Sequence, residues 1–181
     1  PQGIAPTVFA FCFQLPGEPT SDESTATCYH VSLEQDRRWQ RCNIKSTALL
    51  GNVMHYQSGA RVGNKETILF NANDEITEAS SSNVFVVKDG VIATPPLDNQ
   101  ILPGITRWLI LQIVHAHSEL VIQERVITKA ELLDADEVWI TSATKEVGPV
   151  THVGDTVIGT GKPGPMWQRV QSLFSAHKFD Y

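Results

Sequence analysis

The sequence is poor in the features that mark several large classes of protein. Its longest apolar run near the middle of the chain is Trp108–Val114, which is far too short to cross a membrane. Its three cysteines show no Cys-x-x-Cys spacing, so we expect reduced thiols in the cytoplasm rather than a disulfide framework. The net charge of −6 leaves no basic excess for binding nucleic acid. Neither a membrane nor a nucleic-acid partner is expected.

What is present is the composition of a globular domain. The chain has 181 residues, of which 41% are hydrophobic, enough to bury one core. It begins at Pro1 without the basic and apolar segments of a signal peptide. Ala5–Phe13 is rich in aromatic and β-branched residues, which predicts a core strand. Because a natural chain rarely begins this way, we expect residues 1–181 to be one domain of a longer protein.

Hydrophobic periodicity predicts a mixed α/β domain. Helical spacing of apolar residues favours helices over Ser46–Arg61, Ile105–Glu119 and Pro165–His177. Thr128 and Glu131 form a capping-box pattern that begins a short helix. Strands are expected over Cys28–Gln35 and onward to Lys45, Thr67–Asn71, Glu75–Ser80, Asn83–Pro95, Leu120–Ile127 and Val138–Val153. The Asp-Gly pair at 89–90 predicts a hairpin turn, and the interspersed helices are compatible with a barrel-like sheet.

Three short segments offer a lysine, an acid and a glycine-led helix start, which are three of the parts needed to hold and use pyridoxal 5′-phosphate. Lys45 offers an amine that can form a Schiff base with the aldehyde. Glu78 offers an acid that can keep the pyridine nitrogen protonated. Gly104 precedes the predicted start of a helix, where backbone amides and the helix dipole suit a phosphate. Each residue by itself is more often an ordinary surface residue, so the combination carries the prediction.

The residues that flank these positions make the combination specific. RWQRCNIKSTALLG contains Lys45, TEASSSNVF contains Glu78, and ILPGITR contains Gly104. Together they resemble the fold-type IV pyridoxal-phosphate enzymes, the class IV aminotransferases, and most closely their D-amino acid aminotransferase branch. The resemblance implies that residues 1–181 form the large C-terminal, cofactor-binding domain, a pseudobarrel sheet with flanking helices. It also implies a smaller N-terminal domain upstream of Pro1.

The resemblance assigns roles to the residues around the cofactor ring. Lys45 would take a proton from the substrate Cα and return it to the cofactor, which requires a partly desolvated amine. Glu78 would contact the pyridine nitrogen, and Leu102 would support the face of the ring. Arg38 is also expected to bind the cofactor. One departure is Asn43, which stands where the family usually has aspartate.

The resemblance also implies a cup for the cofactor phosphate. Its expected members are Gly104, Ile105, Thr106, Ser142, Ala143 and Thr144. Ala143 stands where the family commonly has threonine, so one hydrogen bond worth roughly 1–2 kcal/mol would be missing.

Two other patterns are rejected as sites. Gly159, Gly161 and Gly164 match the dinucleotide fingerprint, but Pro163 interrupts the loop and no βαβ unit follows. The histidines at 115 and 117 are too close in the predicted helix to share a face. No other cluster in the sequence indicates a metal site.

The predicted function is pyridoxal-phosphate-dependent transamination between a D-amino acid, such as D-alanine, and a 2-oxo acid. A branched-chain aminotransferase and an aminodeoxychorismate lyase are alternatives with the same implied fold. A domain that binds the cofactor, or only packs, without turnover is the non-enzyme alternative. A homodimer is expected because the active site in the family lies near the subunit contact, and substrate recognition depends partly on residues outside this chain.

Overall fold

The computed structural model describes residues 3–15 and 17–181. Within these residues it contains nine strands in one sheet and four helices. The strands are β1 (Tyr29–Gln35), β2 (Glu66–Phe70), β3 (Ile76–Ala79), β4 (Asn83–Lys88), β5 (Val91–Thr94), β6 (Val121–Glu124), β7 (Glu137–Ser142), β8 (Glu146–Val153) and β9 (Thr156–Val157). The helices are α1 (Leu50–Arg61), α2 (Ile105–His117), α3 (Lys129–Leu133) and α4 (Pro165–His177). None of the described helices combines the length and hydropathy that a membrane crossing requires.

The sheet mixes parallel and antiparallel pairs. Its order is β3-β2-β1-β8-β7-β4-β5-β6, with β9 added to β8. β1 is parallel to β2 and β8, and β5 is parallel to β6. The other neighbouring strands are antiparallel. The parallel pairs β1–β2 and β5–β6 are joined through α1 and α2, so both helices begin beyond the carboxyl end of a strand, where α/β proteins commonly place their sites.

One face of the curled sheet encloses the first hydrophobic core. Alternate residues of each strand point inward, as the two-residue period of a strand requires. Val84 and Val86 of β4 therefore meet Val138 and Ile140 of β7 on this face. The same cluster includes Val31, Ile68, Ile76, Ala93, Ile127, Leu132 and Val150. Strands that are distant in the sheet order share this cluster, so the sheet is curled.

The opposite face of the sheet packs against α2 and α4. Phe85 and Trp139 point to this side, and their ring centroids are 6.2 Å apart. Trp167 of α4 is buried here and donates a hydrogen bond from Nε1 to the carbonyl of Val147 at 2.6 Å. This second core confirms the predicted mixed α/β class, with helices covering the outer face of the sheet.

Several sequence predictions are confirmed at the level of single elements. The last helix runs over Pro165–His177, as its apolar spacing predicts. Thr128 caps α3, because its side chain accepts a hydrogen bond from the amide of Glu131 at 3.1 Å. Asp89 and Gly90 have φ values of 49° and 77°, which the tight hairpin turn between β4 and β5 requires.

The prediction of a core strand over Ala5–Phe13 is wrong. This segment has no strand structure, and the side chains of Phe9, Phe11 and Phe13 are 80%, 77% and 72% exposed. Composition reports the tendency of a segment to extend, but a strand also needs a neighbour for its backbone groups. None of the strands in residues 3–15 and 17–181 pairs with it.

Several element boundaries also differ from the sequence prediction; the helix expected from Ser46, for example, begins at Leu50. Residues 36–45 form turns and loop rather than a second strand after β1. The Asp36 side chain accepts a hydrogen bond from the Arg38 amide at 2.9 Å, a local turn that competes with strand pairing. Val138–Val153 is divided into β7 and β8, because the chain reverses at 143–145 and Glu146 adopts a φ of 51°.

Candidate active site

A cavity of ≈ 690 Å³ opens where four parts of the chain meet. These parts are the loop between β1 and α1, the end of β3 with its following turn, the start of α2, and the end of β7. Nine of the ten predicted site residues line it: Arg38, Lys45, Glu78, Leu102, Gly104, Ile105, Thr106, Ser142 and Ala143. The topology therefore brings together three motifs that are separated along the chain.

Lys45 lies at the rim of this cavity, in the loop that precedes α1. Its side chain is exposed, and none of the ion pairs among the described residues involves it. The expectation of a partly desolvated amine is therefore not met in this structure. Ile44, which precedes it in the chain, is itself exposed and does not cover it. The amine is accessible to a ligand in the cavity.

Glu78 lies in the cavity wall on β3 and is 5% exposed. Its Oε1 accepts a hydrogen bond from Arg38 Nη1 at 2.5 Å. Its Oε2 accepts from the amide of Leu102 at 3.0 Å and from Asn83 Nδ2 at 3.3 Å. Burial raises the pKa of the Glu78 carboxyl, and the charge of Arg38 and the Leu102 amide oppose that shift. The carboxylate is thus held in one orientation from three sides.

Arg38 connects this acid to a second one, Asp36. Arg38 Nη2 is 2.7 Å from Asp36 Oδ2 and donates to the carbonyl of Gln100 at 3.0 Å. Burial acts to lower the pKa of Arg38, but its hydrogen bonds to Asp36 and the charges of Asp36 and Glu78 raise it. The guanidinium therefore stays charged between two carboxylates. Arg38 lines the cavity, and its guanidinium donates hydrogen bonds to Asp36, Glu78 and the carbonyl of Gln100.

The structure explains why position 104 is a glycine, which the sequence does not reveal. Gly104 is the N-cap of α2, and a Cβ at this position would collide with Oδ1 of Asn83. The Asn83 amide donates to the carbonyl of Leu102 at 2.9 Å, so it links the segment before α2 to Glu78. Glycine also has no side chain that could cap the helix. Ile105 and Thr106, the first two residues of α2, line the cavity.

The end of β7 supplies a hydroxyl that was not predicted. Thr141 lines the cavity, is 2% exposed, and its Oγ1 has no hydrogen-bond partner among the described residues. Thr144 is exposed and lies outside the cavity lining. Ser142 Oγ accepts from the Lys145 amide at 3.3 Å. The hydroxyl-rich ITSAT segment indicated this region, but the sequence alone does not show which of its hydroxyls line the cavity.

A buried glutamate, Glu66, anchors the turn that follows Glu78. Its carboxylate accepts hydrogen bonds from the hydroxyls of Ser80 and Ser81, the latter at 2.5 Å, and from Ser82 at 3.2 Å. Glu66 is fully buried on β2, and Lys145 Nζ lies 3.7 Å from it. The small polar residues after Glu78 do form a turn, as the sequence suggests. The acid that holds this turn is not visible as a motif in the sequence.

The sequence matches the amino-transferase class IV family model over residues 1–153. A D-alanine aminotransferase of Bacillus licheniformis is 42% identical over 170 residues, which cover 94% of this chain and 58% of that protein. A D-alanine aminotransferase of Listeria monocytogenes serotype 4b (strain F2365) is 38% identical over 144 residues, covering 80% of this chain and 49% of that protein. The chain therefore spans roughly half the length of these relatives.

Solved structures agree with this match. The branched-chain amino acid aminotransferase of Thermobaculum terrenum in its PLP form superposes with a TM-score of 0.79 at 22% identity, covering 87% of this chain and 53% of that one. The Escherichia coli branched-chain amino acid aminotransferase gives a TM-score of 0.69 at 30% identity, covering 79% and 50%. These matches confirm the implied fold-type IV domain. By sequence and by fold, the chain belongs to the class IV aminotransferases, a family that uses pyridoxal phosphate.

Proposed function

We propose that the protein containing this chain is a pyridoxal-phosphate-dependent transaminase acting between a D-amino acid, such as D-alanine, and a 2-oxo acid. One observation carries the proposal. Lys45 and Glu78 line one cavity together with the start of α2, in a chain 42% identical to a D-alanine aminotransferase. The branched-chain enzymes are similar in fold at 22–30% identity, so the D-amino acid reaction is favoured over theirs.

The buried residues fit the cofactor's phosphate. A buried hydroxyl without a hydrogen-bond partner, such as that of Thr141, lowers the stability of the fold by about 1–3 kcal/mol. An anionic ligand in the cavity would accept its hydrogen bond. The amides of Ile105 and Thr106 at the positive end of α2 would bind the same group. Ser142 and the Thr106 hydroxyl would complete this cup, while Ala143 contributes no hydroxyl.

The acid side of the cavity would hold a proton on the ring nitrogen. When bound, pyridoxal phosphate supplies an aldehyde and a ring that accepts the electrons left on the substrate Cα. Glu78 would orient the ring through its nitrogen, and a carboxylate retains lone pairs for this beside its present donors. The charge of Arg38 favours the ionised carboxylate, which attracts that proton.

Lys45 would transfer the proton of the substrate Cα. Its amine would hold the cofactor aldehyde until the substrate amine displaces it, and the freed amine would then take a proton from the substrate Cα and return it to the cofactor. Leu102 would pack on the ring, since it lines the cavity and its amide already holds Glu78. Because the amine is exposed in the described residues, we propose that further groups cover it in the whole protein and recognise the substrate carboxylate.

The whole protein is proposed to be a homodimer in the cytoplasm. α1 presents apolar side chains to solvent beside the cavity, namely Leu50, Val53 and Met54. Exposed apolar surface of this kind favours coverage by another protein surface. A second copy of the chain is the proposed partner, with residues 1–181 as the large domain of each subunit.

The test of the reaction compares amino donors in the full-length protein. We expect amine transfer from D-alanine to a 2-oxo acid, with loss of activity in Lys45→Ala. Lys162→Ala is the matched control, since Lys162 is an exposed lysine that does not line the cavity. A preference for L-valine would favour the branched-chain alternative, and pyruvate release from aminodeoxychorismate would favour the lyase. Absence of all three activities, with cofactor bound, would contradict the proposed function.

A further inference from the structure

Two histidines and an aspartate meet at the far ends of α2 and α4. His117 is the last residue of α2 and His177 is the last residue of α4. Their imidazole rings are stacked with centroids 3.7 Å apart and planes 8° from parallel. His177 Nδ1 lies 2.8 Å from Asp180 Oδ2. The possible ligand atoms of the three residues all lie within 4.8 Å of one another.

We propose that His117, His177 and Asp180 form a binding site for a divalent transition-metal ion, with Zn²⁺ as its representative. Two neutral imidazoles and one carboxylate are a ligand set that Zn²⁺ takes in proteins, and water fills the fourth position. This is the only group of its kind found in residues 3–15 and 17–181. A second stacked pair, His30 and His152, has no carboxylate that completes such a group in the same residues.

The ligand atoms can converge on one ion without moving the core. An imidazole binds a metal ion in the plane of its ring, at about 2.0–2.1 Å from the nitrogen, so the stacked rings must open toward the ion. His117 and Asp180 are exposed and His177 is half-buried. None of the three side chains belongs to either hydrophobic core, so the rings can turn toward an ion at the surface.

The local charges favour a cation at this point. Two helices end here, and the carboxyl end of a helix carries partial negative charge. The nearest lysine in sequence, Lys178, is bound by Glu146 at 2.6 Å and by Glu18 at 3.2 Å. Its ammonium group is therefore held by other carboxylates and does not neutralise Asp180.

The site would join the chain after α4 to α2. Tyr181 already folds back toward α2, with its hydroxyl 3.4 Å from His117 Nε2 and its ring edge-on to Trp108. The thirteen residues of α2 span about 20 Å at 1.5 Å per residue, and the cavity lies at its other end. A bound ion would thus fasten α2 from the end opposite the cavity, as a site separate from the proposed active site.

The experiment titrates the full-length holoprotein with Zn²⁺ by calorimetry and with Co²⁺ by visible absorption. We expect one ion per chain in the wild type, and affinity weakened by about tenfold or more in His117→Ala, His177→Ala and Asp180→Asn. His115→Ala and His152→Ala are matched controls, because one is an exposed histidine on the same helix and the other belongs to the second stacked pair. Both should bind the ion like the wild type.

Three results would overturn the proposal. They are no binding by the wild type, equal loss of binding in His115→Ala and His177→Ala, and unchanged binding in His117→Ala, which would place the ion elsewhere. Circular dichroism establishes that each variant is folded. If His177→Ala perturbs α4, Asp180→Asn decides, since Asp180 is exposed and follows the helix.

Discussion

Arg38 and Glu78 form a buried ion pair in the cavity wall, with Arg38 Nη1 2.5 Å from Glu78 Oε1. Arg38 also binds Asp36, so one guanidinium serves two carboxylates. Because burial raises the pKa of the Glu78 carboxyl, the charge of Arg38 is the main influence that favours its ionised form. The charge of the acid beside the proposed cofactor site therefore depends on a residue 40 positions earlier in the chain.

Lys45 is expected to carry the cofactor. Its exposed amine lines the cavity that also contains Glu78, and a Schiff base between this amine and pyridoxal phosphate can be reduced to a stable bond. Borohydride reduction of the full-length holoprotein, followed by peptide mapping, should place the pyridoxyl group on Lys45. The Lys162→Ala variant should be labelled as the wild type is. A label on another lysine would refute the assignment.

Glu78→Gln should retain the cofactor but lower the transamination rate by roughly a hundredfold or more. A glutamine can still contact the ring nitrogen, but it lacks the negative charge that keeps a proton there. Absorbance spectra would measure bound cofactor, and single-turnover kinetics with D-alanine would measure the chemical step. Wild-type turnover in this variant would show that Glu78 is not the pyridine partner.

Thr141→Val should act in opposite directions on stability and on cofactor affinity. The hydroxyl is buried without a partner among the described residues, so its removal should raise the thermal midpoint of the apo-protein. If the hydroxyl binds the cofactor phosphate, the same change should raise the dissociation constant of the cofactor by about tenfold, because a hydrogen bond to a charged group is lost. Thr144→Val, at an exposed position outside the cavity, is the control. Unchanged affinity in Thr141→Val would remove Thr141 from the site.

Asp36 should make the fold sensitive to acid. Burial acts to raise the pKa of the Asp36 carboxyl. The hydrogen bonds and charge of Arg38, with a hydrogen bond from Thr77, outweigh burial and lower the pKa. The unfolded chain therefore binds this proton more tightly than the folded one. Its stabilising contribution is present above the unfolded pKa of about 3.9 and is lost as the pH falls through the lower, folded value.

Thermal unfolding measured across the acid range tests this contribution. Asp36→Asn should flatten the decline of the midpoint with falling pH, whereas Asp155→Asn, an exposed carboxylate, should leave the decline unchanged. An equal slope in the wild type and in Asp36→Asn would show that another group is responsible for the acid sensitivity.

Local chemistry in the sequence determined much of this domain. The helix over Pro165–His177 follows from its apolar spacing, the turn at 89–90 from residues that tolerate positive φ, and the start of α3 from Thr128. Each of these features depends on residues within a few positions of one another. The motifs around Lys45 and Glu78 were likewise sufficient to indicate the family, which the comparisons confirm.

Only the tertiary structure decided the contacts between distant segments. The expected strand over Ala5–Phe13 fails because a strand needs a partner, and none in the described residues is adjacent to it. The anchoring of the serine turn by Glu66 and the place of Thr141 in the cavity lining depend on how the strands pair. The meeting of His117 with His177 depends on the packing of two helices. Such contacts join residues far apart in sequence, and their partners are chosen by how the sheet and helices pack rather than by any local pattern.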